Sequence, residues 1–148
     1  MSRFSIKTAA AARNILLIVW VGFFVLNMAG IFYLYLDNWI ERDNFLAALN
    51  QLNASYLPFI GAILAFYLGH AQRSKSMEAV HIGIAFYLAL VFSVLWNVVI
   101  FLFILPPIWG VGMIEEAIQN IKDIGSLLSW LVFPAMGYYF GNPTTSNN

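Results

Sequence analysis

Residues 15–36, ILLIVWVGFFVLNMAGIFYLYL, run 22 positions without a charge before they meet Asp37. A helix rises 1.5 Å per residue, so this stretch covers the roughly 30 Å of hydrocarbon in a bilayer. Such a segment must be buried whole or placed in lipid. Wrapping it in a soluble fold would take polar sequence that the chain lacks. Hydrophobic residues make up 61% and charged residues 9% of its 148 positions, against about 45–50% and about 25% in soluble domains. The expected fold class is therefore an all-α integral membrane protein. The length allows one compact unit and no separate soluble catalytic or sensory domain.

Three further runs reach or approach membrane length, at 54–70, 80–105 and 125–141. The expectation is four transmembrane helices in a single domain, arranged as two tandem hairpins. A segment over 1–14 precedes the first span, loops over 37–53, 71–79 and 106–124 join the spans, and a tail covers 142–148. The second and fourth runs are short and suit a thin bilayer or a start within the headgroup layer. Arg3, Lys7 and Arg13 precede the first run as in a signal peptide. Signal h-regions stop after about 7–15 residues, however, so this run is read as a retained span; an acid-free start also suits an organellar transit peptide.

Five of the seven basic residues (Arg3, Lys7, Arg13, Arg73 and Lys75) fall at the N-terminus and in the 71–79 loop, leaving Arg42 and Lys122 in the other loops. The positive-inside rule then places both termini in the cytoplasm, in an inner or plasma membrane. Six acids, Asp37, Glu41, Asp43, Glu115, Glu116 and Asp123, face outward.

The two hairpins share an order of features. Asn27, Trp39 and the ending FYLG at 66–69 are answered by Asn97, Trp109 and YYFG at 138–141. Because both hairpins start on the same side, this reads as a parallel repeat about an axis along the membrane normal. Each outer loop also carries an amphipathic stretch. Phe45, Leu49, Leu52 and Tyr56 recur at helical spacing, with Asp43 or Asn44 placed to cap them; Ile114, Ala117, Ile118, Ile121 and Ile124 do the same, ending at Gly125. Each loop is expected to hold a short amphipathic helix that lies in the interface or roofs a vestibule. Pro106 and Pro107 are expected to end the third span.

Within the spans the non-lipid-like residues form stripes. Gly61, Ala65 and Gly69 recur every four residues, as do Gly137 and Gly141, and so do His81, Ala85, Ala89, Ser93 and Asn97. Small residues let helices approach closely, and Asn27, Ser93 and Asn97 can hydrogen-bond between helices. The functional alternative is a water-filled path at a subunit interface, lined from His81 to Asn97 with Asn97 as its mid-depth ring.

Several classes are excluded. No Asp, Glu, Lys or Arg falls within the four runs, which argues against a coupled transporter. Ser55, Ser126 and Ser129 are read near one surface and His70 and His81 near the other, so no nucleophile has a base. No enzyme activity is expected, and no cofactor or metal. The chain has no cysteine, and nucleotide- and nucleic-acid-binding signatures are missing. Two readings remain. One is a homo-oligomeric channel, cation-favouring through its acidic outer loops and gated by a protein partner or lipid at Arg73 and Lys75. The other is a non-conducting anchor or assembly subunit of a larger membrane complex.

Overall fold

The computed structural model describes residues 9–71 and 84–141. Four helices make up the fold: α1 Ala9–Leu36, α2 Arg42–Ala71, α3 Ile84–Ile108 and α4 Ile114–Gly141, with no strand among the described residues. Two of them are long and apolar enough to cross a membrane, α1 over Asn14–Leu36 and α3 over Phe86–Ile108. Of the apolar 18-residue window in each, only 22% and 33% is buried inside the chain. Ile18, Val25, Leu36, Val91 and Leu102 are each more than half exposed along them.

The two outer turns are built alike. After α1 the N–H of Trp39 donates to Leu34 O (2.9 Å) and that of Asn38 to Tyr35 O (3.1 Å), with Asn38 left-handed at φ 59°. After α3 the N–H of Val111 donates to Pro106 O (2.8 Å) and that of Gly110 to Pro107 O (3.0 Å), with Gly110 at φ 71°. Both are Schellman closures, which satisfy carbonyls that a helix end leaves open. Trp39 and Trp109, paired in the sequence reading, take different places in this motif: Trp39 matches Val111, and Trp109 matches Asp37. The Trp39 ring instead packs on Gly110, where an added Cβ would lie 2.8 Å from it.

Three helix boundaries differ from those expected. Phe45 N–H donates to Glu41 O and Ala117 N–H to Met113 O, so α2 and α4 begin before the amphipathic stretches and run through them without a break. The separate loop helices are replaced by the outer halves of two long helices, because their apolar residues continue in register with those of the following run. Gly125, expected to end one of them, sits inside α4. There its missing side chain admits Trp96 and Ile100, whose nearest atoms would lie 3.8 and 3.3 Å from a Cβ. Pro106 and Pro107 lie in the last turn of α3 rather than after it. Proline's φ suits a helix, and the Schellman bonds to their carbonyls hold the turn even though two N–H groups are missing.

Around the bundle the neighbours are α1 with α2, α2 with α4, α4 with α3, and α3 with α1. Among the described residues the backbones of α1 and α4, and of α2 and α3, do not come together. This arrangement corrects the expected repeat axis. A two-fold along the bundle would set α4 beside α1 and α3 beside α2; here equivalent helices lie side by side, as a translation would place them. Trp20 meets Ser93, Phe23 meets Phe101 and Gly30 faces Ile104. Each contact falls about one to two turns beyond the 70-residue offset of the sequence match.

The centre is aromatic. The Trp20 ring lies 4.3 Å from Phe59, 5.7 Å from Tyr56 and 4.9 Å from Trp96, measured between centroids. Trp96 also meets Tyr56 at 4.9 Å and donates its indole N–H to Gly125 O at 3.0 Å, thereby touching the other three helices. Ring pairs of this kind contribute about 0.5–1.5 kcal/mol each beyond the area they bury.

Candidate functional site

Three polar side chains lie inside the bundle: Asn27, Ser93 and Asn97 are fully buried. Ser93 Oγ accepts the Trp20 indole N–H at 3.1 Å, joining α3 to α1. Asn27 donates through Nδ2 to the Tyr56 hydroxyl at 2.7 Å, joining α1 to α2. Asn97 donates to Ser93 O, one turn back on its own helix, at 2.7 Å. The Oδ1 atoms of Asn27 and Asn97 have no hydrogen-bond partner. These groups, with Ala89, face the interior of one chain. Of the series His81–Asn97 expected to line a path at a subunit interface, Ala89, Ser93 and Asn97 are buried within the chain. The aromatic centre packs over that stripe, and three or four residues per turn bring it to the same side as Phe86 and Ile100.

The small residues on the other helices face the opposite way. Gly61, Ala65 and Gly137 are exposed, and nothing lies within 4 Å of a Cβ built on either glycine. They pack no helix within the chain. Gly69 and Gly141 belong to α2 and α4, and Ala85 to α3. His81, Arg73 and Lys75 lie outside the described residues.

Level is set by contacts along α3. Trp96 reaches Gly125, and Phe86 meets Tyr139 with ring centroids 5.6 Å apart. Lys122, almost a turn before Gly125, therefore lies beside α3 near Phe101, about two turns in from its outer end. On the other hairpin Tyr56 lies level with Asn27, and Phe45 stacks on Tyr35 at 4.3 Å. The polar residues 50–55 thus run beside the outer half of α1. Sequence reasoning assigns 50–53 and Lys122 to loops, and Ser55, Ser126 and Ser129 to a surface. The continuous helices bring them down the side of the bundle.

Between α2 and α4 these residues line an open cleft of about 330 Å³. Phe59, Trp96 and Phe133 supply its apolar lining, and Gln51, Ser55, Lys122, Ser126 and Ser129 its polar one. Gln51 Nε2 donates to Ser55 Oγ at 3.3 Å, and Ser129 Oγ to Gly125 O at 2.7 Å. Pro58, also in the lining, has no N–H to give the Ala54 carbonyl one turn before it. Lys122 and Ser126 are exposed, and neither makes a hydrogen bond or ion pair among the described residues. The cleft offers one cation and several hydroxyl and amide groups, with no base beside a nucleophile.

A second cleft, of about 410 Å³, opens between the outer turns, lined by Trp39, Asn44, Gly110 and Glu115 among others. Asn44 Nδ2 donates to Glu115 Oε1 across it, tying α2 to α4. Among the described residues no three of His, Asp and Glu gather as a metal ion requires. Sequence reasoning missed Trp20, Trp96 and Lys122. The two tryptophans carried a signal: both sit inside apolar runs, more than a turn from either end, rather than at the ends where the interfacial belt lies. Compared with family models, with curated proteins and with solved structures, the chain matches none of them.

Proposed function

We propose that the chain crosses the bilayer four times, with both termini cytoplasmic, and serves as the subunit of a homo-oligomeric channel. Its α2/α4 side would face the centre of the assembly. The observation that carries this reading is the level of Lys122, exposed beside the apolar α3 about two turns in from its outer end. A lysine facing lipid costs about 2.5–3.5 kcal/mol at the centre of a span on insertion scales, and less toward its ends where the side chain snorkels. Lys122, with Gln51, Gln119 and Ser126 around it, is better placed against water or protein. Further in, the same side carries Ala62, Ala65 and Gly137. Repeated around a ring, this side makes a polar outer vestibule above a narrow apolar stretch, a form that gates by dewetting.

The conducting path would then run between chains along α2 and α4, since Ser93 and Asn97 are enclosed by Trp20 and Trp96. This moves the expected ion preference. The charge that lines the cleft is the cation Lys122, with Asp123 exposed beside it on α4, so it is the cleft itself that favours anions, behind the acidic outer turns. Reconstitution tests the reading. A ring of defined stoichiometry whose liposome leak changes with Lys122→Gln, and persists in Asn97→Leu, supports it; monomers with no leak sink it. The second reading, a non-conducting assembly subunit, draws on Gly61, Ala65 and Gly137, which suit dry, close helix contact. It predicts a stable complex with another membrane chain and no leak.

A further inference from the structure

The cleft between α2 and α4 holds a cation with no partner among the described residues, and small residues follow the cleft toward its inner side. Lys122 is compact, strongly hydrated and equipped with three donors. Ser126 beside it is also unengaged, and Gln51 stands across the cleft on α2. Toward the inner end the cleft passes Phe59 and Phe133, whose rings stack at 4.4 Å. Beyond these rings the side of the bundle falls to Ala62, Ala65 and Gly137, with open space where a Gly137 side chain would be. Polar groups and a positive charge thus line the cleft, and the exposed Ala62, Ala65 and Gly137 follow it on the inner side.

We propose that this cleft binds an anionic amphiphile: a phosphate-bearing headgroup against Lys122, Ser126 and Gln51, with its acyl tail lying past Phe133 along Gly137 and Ala65. Each half answers a separate need of the surface. The headgroup pairs with an ammonium that makes no ion pair among the described residues, the neighbouring Asp123 being held by Gln119, and the lysine stem can lie along the cleft while its ammonium reaches outward. The tail covers the strip of Ala65 and Gly137, whose small size lets an acyl chain lie close to the helix. At about 330 Å³ the cleft itself is large enough for a headgroup and the first part of one chain, near the lower end of the usual range for small-molecule sites. The proposal rests on the four-span reading above and does not require conduction.

The test uses the full-length protein in neutral detergent. It is titrated separately with lysophosphatidic acid, with lysophosphatidylcholine of the same tail, and with inorganic phosphate. Native mass spectrometry counts the bound molecules, and thermal unfolding reports affinity. Lysophosphatidic acid should bind saturably, one per chain, with lysophosphatidylcholine and free phosphate at least about tenfold weaker, as expected when charge and tail both contribute. Lys122→Gln, on an exposed side chain, should weaken lysophosphatidic acid about tenfold while leaving the unliganded unfolding temperature unchanged. Gly137→Leu fills the tail groove and should weaken it as well.

Equal binding of lysophosphatidic acid by the wild type and Lys122→Gln overturns the proposal, as does equal binding of the two lysolipids. Inorganic phosphate that binds as tightly as the lysolipid, and is indifferent to Gly137→Leu, assigns the cleft to a free anion and overturns the lipid. Oligomers that dissociate in Lys122→Gln, without any lysolipid binding, give the cation to a second copy instead. Oligomeric state and leak are read on the same samples, so a monomer that binds one lysolipid and conducts nothing sinks the channel and leaves the site standing.

Discussion

The two sides of the bundle differ more than its two hairpins do. The side made by α1 and α3 presents Ile18, Val21, Val25, Val91, Val94 and Leu102 to the outside. The side made by α2 and α4 presents Gln51, Ala54 and Ala65 from one helix and Gln119, Lys122, Ser126 and Gly137 from the other. Phe133 is exposed on it with Trp130 at its edge, and elsewhere on their surfaces α2 and α4 expose Leu57, Leu64, Leu127 and Leu131. In water the first side would be the liability; in lipid it is the second. A chain that leaves both outside has a use for each, and the contrast motivates placing α1 and α3 against lipid and α2 and α4 against water, protein or a bound headgroup.

What holds the two sides together is the aromatic centre, and the largest effect is expected there. Trp96→Ala removes ring contacts to Trp20, Tyr56 and Phe59 and the hydrogen bond to Gly125. It should cost about 3–5 kcal/mol, in the range for large aromatic truncations in a core. Equilibrium unfolding in mixed detergent measures it. A loss below about 1 kcal/mol would mean that the sides do not share this core, since buried large-to-small changes normally exceed that.

The comparison itself is tested by moving one charge between the sides. Val91→Lys puts an ammonium on the α1/α3 side and should cost about 2.5–3.5 kcal/mol of insertion or stability. Ser126→Lys puts the same group beside Lys122, on the side proposed to meet water, and should cost far less, chiefly through repulsion between two lysines. Expression and unfolding of the pair in lipid nanodiscs give the difference. Equal penalties would erase the distinction between the sides.

Much of this was legible in the sequence, and the failures have a common cause. The 22-residue uncharged run and its counterpart around Asn97 identified the two apolar helices, because lipid-length hydrophobicity needs no tertiary information. The amphipathic periods of 45–56 and 114–124 were also read correctly as helical. Their placement was not, since polar residues such as Gln51 and Lys122 were taken to mark loops. Hydropathy reports what surrounds a residue on average; it does not report that one helix continues beside another and turns its polar side away from lipid. The stripe from Ala89 to Asn97 was found by spacing, but spacing leaves open whether a stripe faces inward or outward. Trp20 and Ser93 settle that question only once α1 and α3 are seen side by side.

A smaller test concerns how closely the apolar side sits against the other. Gly125 on α4 leaves room for Ile100 and Trp96 of α3, and a Cβ there would stand 3.3 Å from Ile100 Cδ1. Gly125→Ala gains about 1 kcal/mol of helix propensity and meets a contact tighter than most. The ring above is held by its hydrogen bond, so relaxation has to come from Ile100. Gly125→Leu has no such escape and should lose about 1–3 kcal/mol through overpacking. If Gly125→Leu is as stable as the wild type, α3 and α4 are not packed as tightly as described.

The smallest expected effect separates the two asparagines that the sequence treats as equivalents. Asn27 ties α1 to α2 through the Tyr56 hydroxyl, whereas Asn97 donates only to the carbonyl one turn before it and leaves Oδ1 buried without a donor. Asn27→Leu strands a buried hydroxyl and should cost about 1–2 kcal/mol, the penalty for leaving a polar group unpaired. Asn97→Leu removes an unpaired acceptor at the loss of one local hydrogen bond, and interhelical bonds of this kind average only about 0.6 kcal/mol in membrane proteins. Its net effect should fall within about 0.5 kcal/mol of zero, since replacing a poorly satisfied polar group by an apolar one of similar size is close to neutral. Parallel unfolding of the two variants decides the matter. A strong loss in Asn97→Leu would mean that its oxygen is engaged, and the likeliest donor would then be water reaching the centre of the bundle, which the dry aromatic packing around Trp20 and Trp96 argues against.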